Sequence, residues 1–522
     1  MKKWIACFLC LVMTLGLLAG CGSSEGEAEA TTPAKIEAFS VGYGKANISP
    51  TESVPLRGYG DAMERFSTGN LEPMYATCVA FADTEGEIVL LISTDITNSA
   101  DTLTHDSREL IEAATGVPKS HILFTASHSH SAPDYSKNVP SISNWMNLFK
   151  ERAVEAAKAA LADLAPATAM ETGFNRVDNT NTVRHYLLTD GSYQGRAVGA
   201  VSKDKLVGHY SKVDNLLQVV RFTREGDKRP IILVNWCGHP MGVGDALYTL
   251  AGPNYPGILR QTLEEQYGCD VSFVLSGSGN VNNGSQISSD IKQEDYVDLG
   301  RNLAAEVSNI LENLATPSKL DKIQFSENLW VTPGKDGMNK TVPLYAFSIG
   351  DWACVTAPFE IFDTNAMAVR DASKFKMTFY ASCANESHGY LPTPPSFSFD
   401  ITYEAEITKY PMGTAELVQE QLIGQLDEIF AASGNEIVDK GEGYNTPEFV
   451  PSSDGTIYRN PAPGDTNNIT PVKNGFYAVN LMAGTKFKTM LCIDEATAQA
   501  VVAETEMELL LNEQSVVVGV VK

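Results

Sequence analysis

HILFTASHSHSAPD, residues 121–134, is the segment from which the architecture of this chain is best inferred. Its first five residues are mostly apolar and predict a short buried strand, and a polar loop follows at once. In an extended backbone alternate side chains point to the same side, so His128 and His130 would face one ligand. Two histidines in this relation could bind a metal ion or could be structural residues beside small polar side chains. The segment alone is compatible with both interpretations.

Strands alternate with amphipathic helices on both sides of this segment. The apolar periodicity predicts strands over residues 87–96, 121–125, 216–222, 230–236, 271–275, 344–356 and 376–382, and helices over residues 104–115, 145–164, 254–267, 292–314, 361–372 and 413–431. Such alternation predicts an α/β body. Residues 433–475 are rich in Gly, Pro, Asn and Asp and predict a long connection. Residues 476–522 are apolar enough to pack, either as a small appended unit or as a late part of the body.

The composition excludes several classes of protein. Of 522 residues, 64 are acidic and 39 are basic, which gives a formal net charge of −25, and 43% are hydrophobic. So many apolar side chains are typical of a globular chain rather than a disordered one. Because the negative charge would repel a phosphate backbone, we expect no nucleic-acid partner and favour a small or lipid-like molecule. The cysteines beyond Cys21 form no CxxC motif, so a thiolate zinc knot is not expected, although an exported chain could form one or two disulfides.

The N-terminus predicts export. Two lysines precede an apolar run over residues 4–18, as in a secretory signal peptide. The sequence LAGC, which ends at Cys21, resembles the lipobox of bacterial lipoproteins, in which the cysteine is acylated. We therefore expect a signal peptide over residues 1–20, a lipid-anchored linker over residues 21–37, and attachment to the bacterial cell membrane surface through the acylated cysteine. An ordinary signal peptide cut near the same place is the alternative.

Two further strand ends carry side chains that could bind a ligand, as loops at strand ends in α/β proteins often do. NWCGHP, residues 235–240, brings His239 into a glycine-containing loop after a predicted strand. TAPFE, residues 356–360, places Glu360 between a buried strand and a helix. Taken alone, this carboxylate could equally stabilise the N-terminus of the helix.

Several blocks of sequence occur in the same order as in one known family. They are VGYGKANISP at 41–50, SHSHSAP at 127–133, NWCGHP at 235–240, AGPNYPG at 251–257, SGNVN at 278–282 and NESHGY at 385–390. Over residues 40–430 the chain resembles the neutral/alkaline, non-lysosomal ceramidases, zinc amidases that cleave the N-acyl bond of ceramide. With this resemblance we expect a catalytic domain over residues 38–432 and a linker with a small C-terminal segment over residues 433–522. The expected fold class is α/β, a layered sandwich of mixed β-sheets flanked by helices, with a small C-terminal appendage.

The resemblance also implies a metal site and a set of catalytic residues. The residues that match the family's zinc ligands are His128, His239, Glu360 and Tyr390. Such a set would hold Zn²⁺ and leave room for a water whose pKa the metal lowers to about 7, and this metal-activated water would attack the amide carbonyl. The residues that match the family's catalytic groups, which would stabilise the oxyanion or donate a proton, are His130, Arg176 and Tyr403.

Two departures from the family pattern bear on the substrate. The family's Pro-Gly-Glu is Pro358-Phe359-Glu360 in this chain, and its Gly-Asp is Gly279-Asn280. We therefore expect the substrate to be ceramide or a related lipid-like N-acyl compound. The alternative hypothesis is a non-catalytic, solute-binding lipoprotein of a transporter, because acidic, lipid-anchored α/β chains commonly serve that role.

Overall fold

The computed structural model describes the body of the chain and its C-terminal segment. The described residues are 36–59, 64–99, 101–195, 203–241, 247–284, 295–314, 317–320, 322–398 and 402–521. Residues 36–522 form one compact unit. The expected signal peptide and nearly all of the expected lipid-anchored linker lie outside the described residues. Of the helices that are described, none combines the length and the apolar character needed to cross a membrane.

The described helices and body strands have the following bounds. The helices are α1 (Asp101–Thr115), α2 (Pro140–Ala162), α3 (Tyr255–Tyr267), α4 (Tyr296–Glu312), α5 (Asp363–Ala372), α6 (Pro395–Ser398), α7 (Tyr403–Ile407), α8 (Thr414–Ser433) and α9 (Glu495–Ala503). The body strands are β1 (Ser40–Asn47), β2 (Gly69–Asn70), β3 (Tyr75–Ala82), β4 (Ile88–Thr94), β5 (Ile122–Ala126), β6 (Ala165–Arg176), β7 (Asn181–Val183), β8 (Tyr186–Leu188), β9 (Tyr193–Gln194), β10 (Leu206–His209), β11 (Leu216–Arg224), β12 (Ile231–Trp236), β13 (Leu250–Ala251), β14 (Asp270–Leu275), β15 (Val281–Asn283), β16 (Ile323–Pro333), β17 (Asn339–Ile349), β18 (Trp352–Thr356), β19 (Glu360–Ile361), β20 (Met377–Ala381) and β21 (Tyr390–Leu391).

Two sheets stacked face to face form the centre of the body. Within the described residues the larger sheet has eight strands in the order β14-β12-β11-β6-β1-β3-β4-β5, and the smaller has four in the order β16-β17-β18-β20. Both sheets are mixed, because β12 pairs in parallel with β14 and β18 pairs in parallel with β20, whereas β11–β12 and β17–β18 are antiparallel. Aromatic side chains from both sheets meet between them, among them Phe81, Phe222, Phe347 and Trp352.

Helices cover the outer faces of this pair of sheets. Cys78 and Ile92 of the larger sheet pack with Trp145 and Phe149 of α2, while α3 and α4 cover the β11, β12 and β14 half of the same face. Helices α5 and α8 cover the smaller sheet. Alternate strand residues thus face a helix layer and the other sheet, as a doubly covered sheet requires. This order of layers confirms the predicted α/β sandwich of mixed sheets flanked by helices.

Two glycines let α2 lie directly against the larger sheet. A Cβ at Gly42 of β1 would lie 2.0 Å from the backbone oxygen of Ala160, and one at Gly44 would lie 2.0 Å from that of Ala156. Any side chain at these positions would push the helix away from the strand. The GYG of the VGYGKANISP block therefore serves helix–sheet packing.

The C-terminal segment folds as a sheet with one helix. Its described strands are β22 (Ser452–Arg459), β23 (Ile469–Pro471), β24 (Tyr477–Ala483), β25 (Lys486–Cys492), β26 (Glu506–Leu511) and β27 (Val517–Val521), in the sheet order β22-β26-β27-β25-β24-β23. One apolar cluster packs α9 on this sheet, and a second joins Phe476 and Leu491 to Leu187 and Tyr193 of the body. The segment therefore has its own core and is also packed on the body.

Most predicted elements agree with the structure, but the long connection predicted over residues 433–475 contains strands β22 and β23. The predicted strands over residues 344–356 are β17 and the paired β18, which form a hairpin that turns at Gly350, where φ is 54°. The predicted helix over residues 292–314 is described from Tyr296 onward, and its expected start lies outside the described residues. The six described cysteines are all buried and free, so no disulfide forms among them.

Candidate active site

Three histidines converge although the strands before them, β5 and β12, lie toward opposite ends of the strand order of the larger sheet. His128 and His130 follow β5, and His239 follows β12. Their candidate ligand nitrogens all lie within 4.8 Å of one another, and the three side chains are buried. The Nε2 atom of His128 lies 2.9 Å from that of His239 and 3.3 Å from that of His130. The HxH segment thus shares one site with the histidine of the second strand end.

The backbone conformation that brings His128 and His130 together differs from the predicted extended one. His128 has a φ of 69°, in the left-handed region, so the HxH segment is not extended. The backbone nitrogen of His128 donates to Ile96, that of His130 donates to Pro240, and both bonds hold the bent loop in place. The two rings therefore converge because the loop turns, and the alternation of an extended strand is not the cause.

The ring nitrogens that face away from the cluster establish which nitrogens carry hydrogen. Nδ1 of His128 lies 2.5 Å from the carbonyl oxygen of Thr97, and Nδ1 of His239 lies 3.0 Å from that of Ser278. A carbonyl oxygen only accepts, so each Nδ1 must be the donor. In neutral rings both Nε2 atoms then carry lone pairs, and these face each other at 2.9 Å. Such a pair is stable only with a cation between the nitrogens, either a proton or a metal ion, and backbone-held Nδ1–H groups are typical of metal-binding histidines.

The surroundings of the three histidines favour a single positive charge within the cluster. Although burial opposes it, the Glu360 carboxylate and the Cys383 thiol raise the pKa of His128 to about 10. Burial, followed by the charge on His128, lowers the pKa of His239 to about 3. Burial and the two neighbouring rings lower the pKa of His130 well below its usual value. The site therefore favours one cation bound among several neutral or acidic donors.

A carboxylate and a phenol complete the cluster. Strands β19 and β21 pair in parallel with Glu360 opposite Tyr390, so both side chains leave the same short ladder. An Oε2 atom of Glu360 lies 3.4 Å from Nε2 of His128, and the Tyr390 hydroxyl hydrogen-bonds the same carboxylate. The four predicted ligand residues, His128, His239, Glu360 and Tyr390, are thus brought together. Imidazole, carboxylate and phenolate donors in this number suit Zn²⁺.

The two departures from the family pattern lie outside the cleft. The Phe359 ring is buried and packs edge-to-face on His388 and Tyr410, so it does not enter the space beside Glu360. Asn280 donates to an oxygen of Asp363 at 2.8 Å and accepts from the backbone nitrogen of Asp363 at 3.0 Å, which fixes the start of α5. Both substitutions therefore act on packing near the site.

Arg176 does not reach the cluster, which corrects its predicted role. Its guanidinium donates to backbone oxygens of residues 443–445 and to the side chain of Asn215 at 2.8 Å. Strand β6 places Arg176 opposite Leu216, and the arginine is not among the described residues that line the cleft. Its contacts hold the chain that leads to the C-terminal segment.

Arg184, rather than Arg176, lies beside the cluster and contacts it through Tyr390. Its guanidinium donates to the carbonyl oxygen of Gly279 at 2.7 Å, to the Glu404 carboxylate and to the Tyr390 hydroxyl. Glu404 is fully buried and also hydrogen-bonds Nε2 of His185 at 3.0 Å. Although burial opposes it, Arg184 and His185 lower the pKa of Glu404 to about 2. Sequence reasoning missed Glu404, although it directly follows the predicted residue Tyr403.

A cleft of about 440 Å³ opens onto this cluster. His128, His130, Glu360 and Tyr390 line it, whereas His239 is fully buried behind them. Tyr403, the first residue of α7, also lines the cleft, is 45% exposed, and packs edge-to-face on the Tyr390 ring at 5.8 Å between centroids. A substrate in the cleft would therefore meet His130 and Tyr403 beside the candidate ligands.

Comparison with known proteins bears on the fold. No protein-family profile and no curated protein sequence matches this chain. Among solved structures it is similar to the neutral ceramidase from Pseudomonas aeruginosa, with a TM-score of 0.62 and 14% sequence identity over 87% of this chain and 92% of that chain. It is also similar to a structure described as ceramidase complexed with C2, with a TM-score of 0.61 and the same identity and coverage. The layered body around the histidine cluster thus has the fold of the neutral ceramidases.

Proposed function

We propose that this chain is a zinc-dependent amidohydrolase that cleaves the amide bond of ceramide or of a related N-acyl compound. One observation carries the proposal: the Nε2 atoms of His128 and His239 face each other at 2.9 Å in a buried cluster beside Glu360. That arrangement requires a cation, and the donors around it are those that zinc prefers. The shared fold with neutral ceramidase supports amide hydrolysis as the reaction.

The residues of the cleft divide into those that hold the metal and those that act on the substrate. His128, His239, Glu360 and Tyr390 would hold Zn²⁺, which when bound lowers the pKa of a water to about 7 and polarises a carbonyl group. The carbonyls of Thr97 and Ser278 orient the two imidazoles through their Nδ1–H groups.

Three other side chains support the chemistry on the amide. The Tyr403 hydroxyl lines the cleft and can donate toward the oxygen on which charge develops, and removal of one such donor typically lowers the rate on the order of 100-fold. The Arg184 guanidinium donates to the Tyr390 hydroxyl and would hold that phenol in position. Nδ1 of His130 is buried and has no hydrogen-bond partner among the described residues. His130 is therefore free to exchange a proton with the leaving amine.

The metal requirement is tested with purified protein. We expect about one Zn²⁺ per chain, together with hydrolysis of N-acyl substrates that a chelator abolishes. His128→Ala, His239→Ala and Glu360→Ala should lose the metal, while His105→Ala should keep it, because His105 is half exposed and contacts only Glu109 among the described ion pairs. A wild-type protein that binds no metal and hydrolyses no amide, yet binds a solute tightly, would favour the transporter lipoprotein instead.

His130→Ala separates metal binding from catalysis. Because Glu360 and Tyr390 remain beside His128 and His239, we expect the variant to retain zinc and to lose turnover on the order of 100-fold or more. Normal hydrolysis in this variant would remove His130 from the mechanism.

We further propose that the protein is exported and anchored to the bacterial membrane surface through an acylated Cys21. The LAGC sequence supports this proposal. Incorporation of a labelled fatty acid into wild type, and its absence in Cys21→Ser, would be the expected result. Equal labelling of both proteins would refute acylation at this cysteine.

A further inference from the structure

The cleft that opens onto the histidine cluster is lined by three basic side chains. Arg57 lies between β1 and β2, Lys137 lies between β5 and α2, and Lys409 follows α7. The chain carries a formal net charge of −25, so this local excess of positive charge runs against the composition of the whole protein. Clefts lined by one sign of charge attract ligands of the opposite sign.

The carboxylates in the cleft do not balance these cations. Apart from Glu360, Asp134 is the one acidic residue among the described residues that line it. Asp134 is shared, because its oxygens lie 3.3 Å from Arg57 and 3.8 Å from Lys137. Lys409 forms no ion pair with the residues that the structure describes. With Glu360 committed to the histidines, the described residues that line the cleft carry an excess of two positive charges.

Two of these basic residues are anchored, Arg57 through its side chain and Lys409 through its backbone. The Arg57 guanidinium lies 5.0 Å from the centroid of the Tyr135 ring as well as beside Asp134. The backbone oxygen of Lys409 accepts a hydrogen bond at 2.8 Å from the nitrogen of Lys335, at the tip of the β16–β17 hairpin. A guanidinium fixed in this way presents two parallel donors to a carboxylate.

Few of the described residues that line the cleft have apolar side chains. Among the described residues that line it, Ile407 is the only aliphatic side chain, and the aromatic contribution comes from Tyr390 and Tyr403. Long alkyl chains on both sides of an amide would lie against polar and charged groups, whose desolvation is unfavourable. One acyl chain beside Ile407 and Tyr403 is compatible with this lining.

Resting on the proposed amide hydrolysis, we propose that the preferred substrate is an N-acyl amino acid, with a carboxylate on the amine side of the scissile bond that Arg57, Lys137 and Lys409 bind. In the reaction the oxygen of water bonds to the acyl carbon, the carbon–nitrogen bond breaks, and the nitrogen takes the proton. The products are a fatty acid and a free amino acid. A neutral sphingoid amide lacks the group that the cations recognise.

A matched pair of substrates tests the inference on the zinc-loaded enzyme. N-Lauroylglycine and N-lauroylglycinamide share the acyl chain and the scissile bond, and they differ in one carboxylate. We expect kcat/KM to be about 10-fold or more higher for the glycine compound, as a hydrogen-bonded charge contact would give. Added salt should raise KM for that compound more than for the amide, because salt screens the contact.

Charge-removing variants identify the residues responsible. Lys409→Gln changes an exposed side chain, so we expect the fold to be retained. It should lower the ratio of kcat/KM for N-lauroylglycine to kcat/KM for N-lauroylglycinamide several-fold. Arg57→Gln should lower this ratio further. The matched control is Lys486→Gln at the exposed start of β25, which should leave the ratio unchanged. Equal or faster hydrolysis of the glycinamide by wild type would refute the carboxylate site while leaving amide hydrolysis intact. No hydrolysis of any N-acyl substrate, ceramide included, would refute the proposed function and this inference together.

Discussion

Replacing Glu404 by glutamine removes one charge from a buried network and leaves its shape intact. Glu404 is fully buried, accepts from Nε of Arg184 at 2.8 Å through one oxygen, and hydrogen-bonds Nε2 of His185 at 3.0 Å through the other. In Glu404→Gln the amide can still accept from Arg184. The guanidinium, however, remains buried without a counter-charge.

The size of the effect follows from the pKa of the carboxyl group. Although burial opposes it, Arg184 and His185 lower the pKa of Glu404 from 4.5 to about 2. Since one pKa unit corresponds to 1.36 kcal/mol, the ionised form is favoured by about 3 kcal/mol in the folded state. Breaking a buried ion pair from one side typically costs about 3–5 kcal/mol, which agrees. We therefore expect Glu404→Gln to lose about 3 kcal/mol of unfolding free energy at pH 7.

The same pKa predicts how the loss depends on pH. The folded-state pKa of Glu404 lies below the unfolded value of 4.5. The stabilising contribution is therefore complete above pH 4.5 and disappears as the pH falls through about 2. The difference between wild type and variant should shrink steadily on acidification below pH 4.5.

Urea denaturation followed by tryptophan fluorescence, at pH 7 and at steps down to pH 3, measures both quantities. The control is Glu109→Gln, because Glu109 is about half exposed and its loss should change stability by no more than about 0.5 kcal/mol. A loss below 1 kcal/mol at pH 7, or a difference that stays constant on acidification, would refute the assigned network.

Two further sets of substitutions test the assignments around the cluster. Arg184→Gln should lower turnover on the order of 100-fold with zinc retained, as measured by kcat. Arg176→Gln should lower stability in denaturation measurements and leave turnover nearly intact. The opposite pattern would restore Arg176 to the site. In Gly279→Ala the new Cβ would lie 2.4 Å from the backbone oxygen of Glu360, so β19 must move, and zinc affinity in chelator competition should fall on the order of 10-fold. Gly424→Ala, which meets no atom within 4 Å, is its control, and equal zinc affinity in both variants would contradict the role of Gly279.

The layers of the fold could be predicted because burial leaves a local pattern in the sequence. Strands β4, β5 and β11 are apolar runs between turn residues, and the predicted strands over residues 216–222 and 230–236 form the antiparallel pair β11–β12. The pattern left the position of a turn unmarked where both of its arms are buried. Residues 344–356 are apolar on either side of Gly350, so the only local sign of the turn is the Gly350-Asp351 pair.

His128, His239 and Glu360 could be singled out by their positions after strands and Tyr390 by the family resemblance, whereas the arginine was assigned wrongly. Arg176 and Arg184 are separated by only eight positions, and both follow short polar segments. Their different surroundings come from strand pairing, because β6 runs beside β11 while the strand before Arg184, β7, pairs with β15. Glu404 was missed for the same reason, since its partners lie 219 and 220 positions away along the chain.

From its residues alone this chain could be assigned alternating buried strands and helices and the types of side chain that bind a metal. Both depend on the character of short segments. Packing established the rest: the 2.9 Å approach of His128 to His239, the carbonyls of Thr97 and Ser278 that set their tautomers, and the pairing of Arg184 with Glu404. Distances and proton positions of this kind arise between atoms far apart in sequence. They exist only once the sheets have stacked and water has been excluded from between them.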